Sequence, residues 1–146
     1  MALKPVNGTQ LFVKDTGGES TPVLFSHGLL WSHEMFENTV AGLQDQYRCV
    51  SYDHRGQGLS DKPKCRSVSI EQVTEDAITL IEALDIAPCH FVGLSMGGFV
   101  GLRIAARKPE LVRSLVLIST AADPEPKHNL PKYNLMNAIT RIFGVR

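Results

Sequence analysis

Apolar residues in this chain fall into two alternating patterns. Short, nearly unbroken apolar runs end in turn residues: PVLFSHG at 22–28, YRCVSYDHRGQG at 47–58, PCHFVGL at 88–94 and RSLVLIST at 113–120. Runs without polar alternation suit strands of a sheet covered on both faces. Between them lie stretches with helical spacing. Phe36, Val40 and Leu43 mark one within 32–46, with Ser32 as N-cap and Glu34 in its first turn. In SIEQVTEDAITLIEALDI, at 69–86, Ile70, Val73, Ala77, Leu80, Ile81 and Leu84 share a face, and Ser69 with Gln72 forms a capping box. SMGGFVGLRIAARK, at 95–108, is a third helix stopped by Pro109, and KYNLMNAITRIFG, at 132–144, a fourth with Leu135, Ile139 and Ile142 on one side.

The first segment, ALKPVNGTQLFVKDTG, reads as a hairpin, because Asn7-Gly8 tolerates the positive φ of a tight turn. A hairpin followed by strands alternating with helices predicts an α/β fold with a mostly parallel sheet flanked by helices. A chain of 146 residues is enough for one such core.

Lys+Arg and Asp+Glu each count 15, so formal charge is zero. That balance argues against nucleic acid or an anionic membrane as partner. No apolar run approaches the roughly 20 residues of a membrane span, and the first ten residues hold no secretory h-region. Cys49, Cys65 and Cys89 are widely spaced, with no metal-binding pattern, so reduced thiols in a cytoplasmic protein are expected, without metal or cofactor.

The chemistry lies in GLSMG, Gly93 to Gly97. A serine hydroxyl is a poor nucleophile unless exposed, oriented and given a base. A sharp strand-to-helix turn exposes it, and small residues two before and two after let the backbone pass through that bend. The N–H of Met96 then lies at a helix N-terminus, where developing negative charge is favoured. SHGLL, at 26–30, ends an earlier strand in a His-Gly turn that aims the N–H of Leu29 at the same oxyanion. DHRGQGLS, at 53–60, closes a third turn, with Gly56 and Gly58 permitting unusual φ; its expected role is to shape the floor of the site, with Arg55 a structural turn residue.

SHGLLWS, YDHRGQGLSDKP and HFVGLSMGGFVGLRIAARKPELVRSLVLIST together resemble the α/β-hydrolase superfamily, in its motif order and spacing, over roughly residues 3 to 122. Within it the chain is most similar to small bacterial esterases, enol-lactone hydrolases and cofactor-free perhydrolases. The resemblance implies Ser95 as nucleophile, Leu29 and Met96 as oxyanion donors, and a central place for the PVLFSHG strand. It also implies a helical cap, two further strands, a catalytic Asp and a late catalytic His. The family's usual acid and late His have no matching positions here.

Residues 1–122 therefore read as the N-terminal part of a hydrolase core, its first six strands. Residues 123–146 read as the start of a cap or an oligomerisation arm. Some superfamily members take the acid from just after the sixth strand, where Asp123 and Glu125 stand; Asp123 is the better candidate, although Asp-Pro also initiates turns. The base stays open among five histidines. His27 and His54 read as turn-supporting, His33 as exposed in a first helical turn, and His90 as far from Ser95 along its strand. His128, in the connection beyond the sixth strand, can reach a Ser95, its own or that of another subunit. Leu30 and Trp31 would line an acyl pocket. RSLVLIST would be an apolar edge strand, and exposed edges invite pairing. The edge strand or the last helix thus predicts a homo-oligomer. Two functions follow: a serine hydrolase of small esters or lactones, or a catalytically incomplete half serving as scaffold or needing a separate C-terminal half.

Overall fold

The computed structural model describes residues 1–62, 67–123 and 127–143. Cys65 and Glu125 lie outside the described residues. Six strands form one sheet in the order β1-β2-β4-β3-β5-β6. They are β1 (Ala2–Val6), β2 (Thr9–Asp15), β3 (Pro22–Ser26), β4 (Arg48–Tyr52), β5 (Cys89–Leu94) and β6 (Val112–Ile118). Among the described residues the α-helices are α1 (Glu37–Leu43), α2 (Ile70–Ala83), α3 (Met96–Arg107) and α4 (Leu130–Phe143).

The hairpin forms as its turn chemistry requires. Asn7 and Gly8 both take positive φ, 42° and 72°, and Val6 faces Thr9 across the two-residue turn. β1 and β2 join the sheet antiparallel, β2 lying against β4. The pairs β3–β4, β3–β5 and β5–β6 are parallel, so β3 is central, with a neighbour on each side.

Alternation along β3 divides the core. Leu24 packs with Val50, Tyr52 and Phe91 and with Val73, Ala77, Ile81, Val100 and Ile104 of α2 and α3. Val23 and Phe25 point to the other face, against Phe36 and Val40. Each fully buried large side chain contributes about 1.5–3 kcal/mol. The predicted helix over 32–46 is split: a 3-10 turn at His33–Phe36, capped by Ser32, runs into the short α1. The capping box of α2 is present in both directions, between Ser69 and Gln72. Cys49 and Cys89 are free and buried, and burial pushes the Cys89 thiol up to about 11, a position of low reactivity at neutral pH.

β6 lies at the edge, as expected for RSLVLIST, and leaves Val116, Leu117 and Ile118 exposed, so its apolar run lacks the cover that the inner strands have. α4 likewise exposes Leu130, Tyr133, Leu135 and Ile139. The Ile142 side chain lies outside the described residues. No helix among the described residues is long and apolar enough to cross a membrane.

Candidate active site

Ser95 stands between the end of β5 and the first residue of α3, half-buried, at φ 49° and ψ −111°. A non-glycine residue there is strained by about 1–3 kcal/mol and persists only when its surroundings over-determine it. They do. Ser95 N–H donates to the Ile118 carbonyl at 2.9 Å, and its carbonyl accepts from Gly98 N–H at 2.9 Å, Phe99 N–H at 3.1 Å and the Thr120 hydroxyl at 3.0 Å.

The glycines around it are dictated by contact. A β-carbon on Gly93 would come within 2.5 Å of the Gly97 carbonyl oxygen, and one on Gly97 would collide with the backbone carbonyl of Ser26. One on Gly98 would strike the Thr120 side chain. The serine turn is thus pressed onto the end of β3, and Gly98, which follows the five-residue motif, is as tightly packed as the motif glycines.

Gly28 completes the approach from the β3 side, since a β-carbon there would lie 3.5 Å from Ser95 Cβ and 2.9 Å from Leu94 Cδ2. The His27-Gly28 turn therefore passes directly over the serine. Leu29 follows, with its side chain exposed; Trp31 is more exposed still, at 60%, and Leu30 is half-buried at φ 66°. Met96 opens α3, so its N–H is among the leading amides of the helix, which lack the usual acceptor four residues back.

The histidines resolve by their hydrogen bonds. His54 N–H donates to His27 Nε2 at 3.0 Å, so that nitrogen is bare and His27 Nδ1–H donates to the Gly28 carbonyl at 2.7 Å. Both ring nitrogens of this fully buried residue are therefore committed to holding the turn. Burial lowers its pKa, against the opposing Gly28 bond and Asp53 charge. His54 Nε2 lies 3.1 Å from the His27 carbonyl, which can only accept, and 3.1 Å from Ser26 Oγ, while its Nδ1 is buried without a hydrogen-bond partner among the described residues. Burial and the neighbouring His27 drive the His54 pKa well down.

His33 is not exposed, as its place in the sequence suggested. It is buried, its Nδ1–H donating to Asp53 Oδ1 at 2.9 Å and its backbone N–H to the same oxygen at 2.6 Å. An alternating apolar count cannot reveal such a polar anchor. His90 Nδ1 lies 2.6 Å from Ser114 Oγ near the start of β5, at the end away from Ser95. Arg55 grips Asp76 of α2 through two 2.6 Å bonds, which ties the 53–60 turn to that helix.

Asp123 is exposed just beyond β6, and His128 is exposed in a 3-10 turn before α4. Among the described residues neither hydrogen-bonds to the other or to Ser95, whose hydroxyl has no partner there. The structure brings Ser95, Met96 and the Gly28-Leu29 turn together, but not Asp123 and His128.

This geometry agrees with the comparisons. The family model described as alpha/beta hydrolase fold matches residues 21–139. The chain belongs to the α/β-hydrolase fold family. It is 35% identical over 116 residues to 3-oxoadipate enol-lactonase 1 of Acinetobacter baylyi, covering 79% of this chain and 43% of that one. The solved enol-lactonase of Burkholderia xenovorans superposes with a TM-score of 0.85 at 34% identity, over 98% of this chain and 55% of its own. A thermophilic esterase of Thermogutta terrifontis gives 0.84 at 26% identity, over 97% and 52%. The chain thus spans about half the length of the solved members of the family that it matches, and less of the curated enol-lactonase.

Proposed function

We propose that this α/β-hydrolase chain is a serine hydrolase of small carboxylic esters or lactones. Ser95 Oγ adds to the substrate carbonyl, its proton passes to a base, and the alcohol leaves. Water then cleaves the acyl-serine to release the acid. The oxyanion is held by the N–H groups of Leu29 and Met96, each such donor being worth about 3 kcal/mol in the transition state. Leu30 and Trp31 line the acyl side. The observation that carries the reading is Ser95 at φ 49°, pressed under Gly28 at the start of α3. Support for the substrate class comes from the enol-lactonase and esterase likenesses.

Asp123 and His128 remain the proposed acid and base, brought to a serine by movement of the segment after β6 or from a second copy. Residues 1–122 are then the core, and 123–146 a cap start or assembly arm. Exposed β6 and the apolar side of α4 favour a homo-oligomer, in the cytoplasm. The alternative, a catalytically incomplete half that acts as a scaffold or needs a separate C-terminal half, is favoured by the absence of a partner for Ser95 Oγ among the described residues.

The test is fluorophosphonate labelling and turnover of p-nitrophenyl esters by wild type, Ser95→Ala, Asp123→Ala and His128→Ala. The hydrolase reading expects labelling and turnover that vanish in Ser95→Ala. Labelling without turnover, or neither, selects the incomplete half. A monomer mass by light scattering at micromolar concentration overturns the oligomer.

A further inference from the structure

The turn that carries Leu29 is not held by β3 alone. Trp31 N–H donates to the Gly28 carbonyl at 3.4 Å, closing a four-residue turn with Leu30 at its third position. Leu30 there has φ 66°, and Leu29 is not among the residues with positive φ. That is the φ pattern of a type II turn, which favours Gly or Asn at the third position and strains a leucine. A flip of the Leu29–Leu30 peptide would relax it to type I, reversing the Leu29 carbonyl and the Leu30 N–H.

The flip is opposed by one side chain. Leu30 N–H donates to Gln57 Oε1 at 2.6 Å, and because a backbone N–H can only donate, the facing amide atom must be the oxygen. Gln57 is itself anchored: its N–H donates to the His54 carbonyl at 2.9 Å and its carbonyl accepts from Ser60 N–H at 3.1 Å. The flanks of the turn are stapled to the same 53–60 segment, His27 Nε2 accepting from His54 N–H and Asp53 Oδ1 accepting from His33 N–H. Gln57 acts between these staples, on the strained peptide itself.

We infer that Gln57 is a positioning residue for the oxyanion turn: by accepting from Leu30 N–H it fixes the strained peptide between Leu29 and Leu30, and so steadies the turn backbone that carries the Leu29 N–H. This deepens the hydrolase reading and rests on Ser95 being its nucleophile. Oxyanion donors act by being fixed in place before charge develops, so loosening the turn slows the chemical step and leaves ground-state binding nearly unchanged.

The experiment compares wild type, Gln57→Met, which has no acceptor, and Gln57→Glu, which keeps one. The readouts are exchange of the Leu30 amide by NMR, the rate of Ser95 labelling by a fluorophosphonate, and kcat and KM on p-nitrophenyl acetate. In Gln57→Met the Leu30 amide should exchange about tenfold faster, and labelling and kcat should fall about tenfold with KM within about twofold. Gln57→Glu, which keeps the acceptor, should return Leu30 exchange to the wild-type rate. If Gln57→Met does not fold, Gln57→Asn, one methylene short of the same contact, takes its place. Unchanged Leu30 exchange overturns the inference, and so does faster exchange with unchanged labelling. Failure of the parent reading looks different: wild type itself is then unlabelled at Ser95. That removes the catalytic role of Gln57, while Leu30 exchange still decides whether it holds the turn.

Discussion

The backbone carbonyl of Ser26 occupies the place where a β-carbon on Gly97 would have to go. Neither group can give easily, since Ser26 ends the central strand and Gly97 lies in the first turn of α3. The close approach brings the two ends of the site together, the Ser26-His27-Gly28 turn and the serine turn. Gly97→Ala should therefore cost about 3 kcal/mol or more, at the upper end of overpacking penalties. Urea denaturation measures it, and a midpoint equal to that of wild type would show that the helix slides away without cost.

Ser95 pays for its exposure in backbone strain. Ser95→Gly relieves the positive φ, whereas Ser95→Ala keeps the β-carbon and the strain. Both lose the hydroxyl, but only the glycine variant should gain stability, by about 1 kcal/mol after the added freedom of the unfolded chain is subtracted. Thermal melts of the two variants side by side decide it; equal stabilities would mean that the turn stores no strain.

Arg55 and Asp76 form a buried, two-pronged ion pair, their side chains 13% and 2% exposed. Asn7 adds a bond to Asp76 from its side-chain amide at 3.2 Å. Removing the cation strands a carboxylate away from water. Arg55→Met should cost about 3–5 kcal/mol, while Arg55→Met with Asp76→Leu should recover much of the loss. A double variant no more stable than the single would place the cost elsewhere in the turn.

The buried pair His27 and His54 makes stability depend on pH. Burial lowers both pKa values, and in His54 the neighbouring His27 lowers it further. Their folded values thus lie below the roughly 6.5 of a free histidine. Between the folded and unfolded values the unfolded chain binds more protons, so stability rises with pH through that window. The contribution is complete above about pH 6.5 and is lost progressively as pH falls towards the folded values. Stability from urea curves should be level from about pH 8 to 7 and decline below 6.5, and His54→Gln should flatten the decline. A level curve down to about pH 5 would reject this account.

Several parts of this molecule were legible in residue order alone. Asn7-Gly8 specified its hairpin, Ser69 and Gln72 capped α2, and unbroken apolar runs placed all four parallel strands, because each signal is local and acts within a few residues. GLSMG located Ser95 and the start of α3 for the same reason: strand, bend and helix are contiguous. Tertiary structure decided what depends on contacts between distant segments. It buried His33 against Asp53 twenty residues on, and it joined Arg55 to Asp76. It set Gln57 on the Leu30 amide, and it made Gly98 obligatory through Thr120. No periodicity encodes such pairings, since a polar side chain reads alike whether it meets water or a buried partner. For β6 the residue order already pointed to an apolar edge strand, and packing decided only which of its side chains, Val116, Leu117 and Ile118, stay exposed.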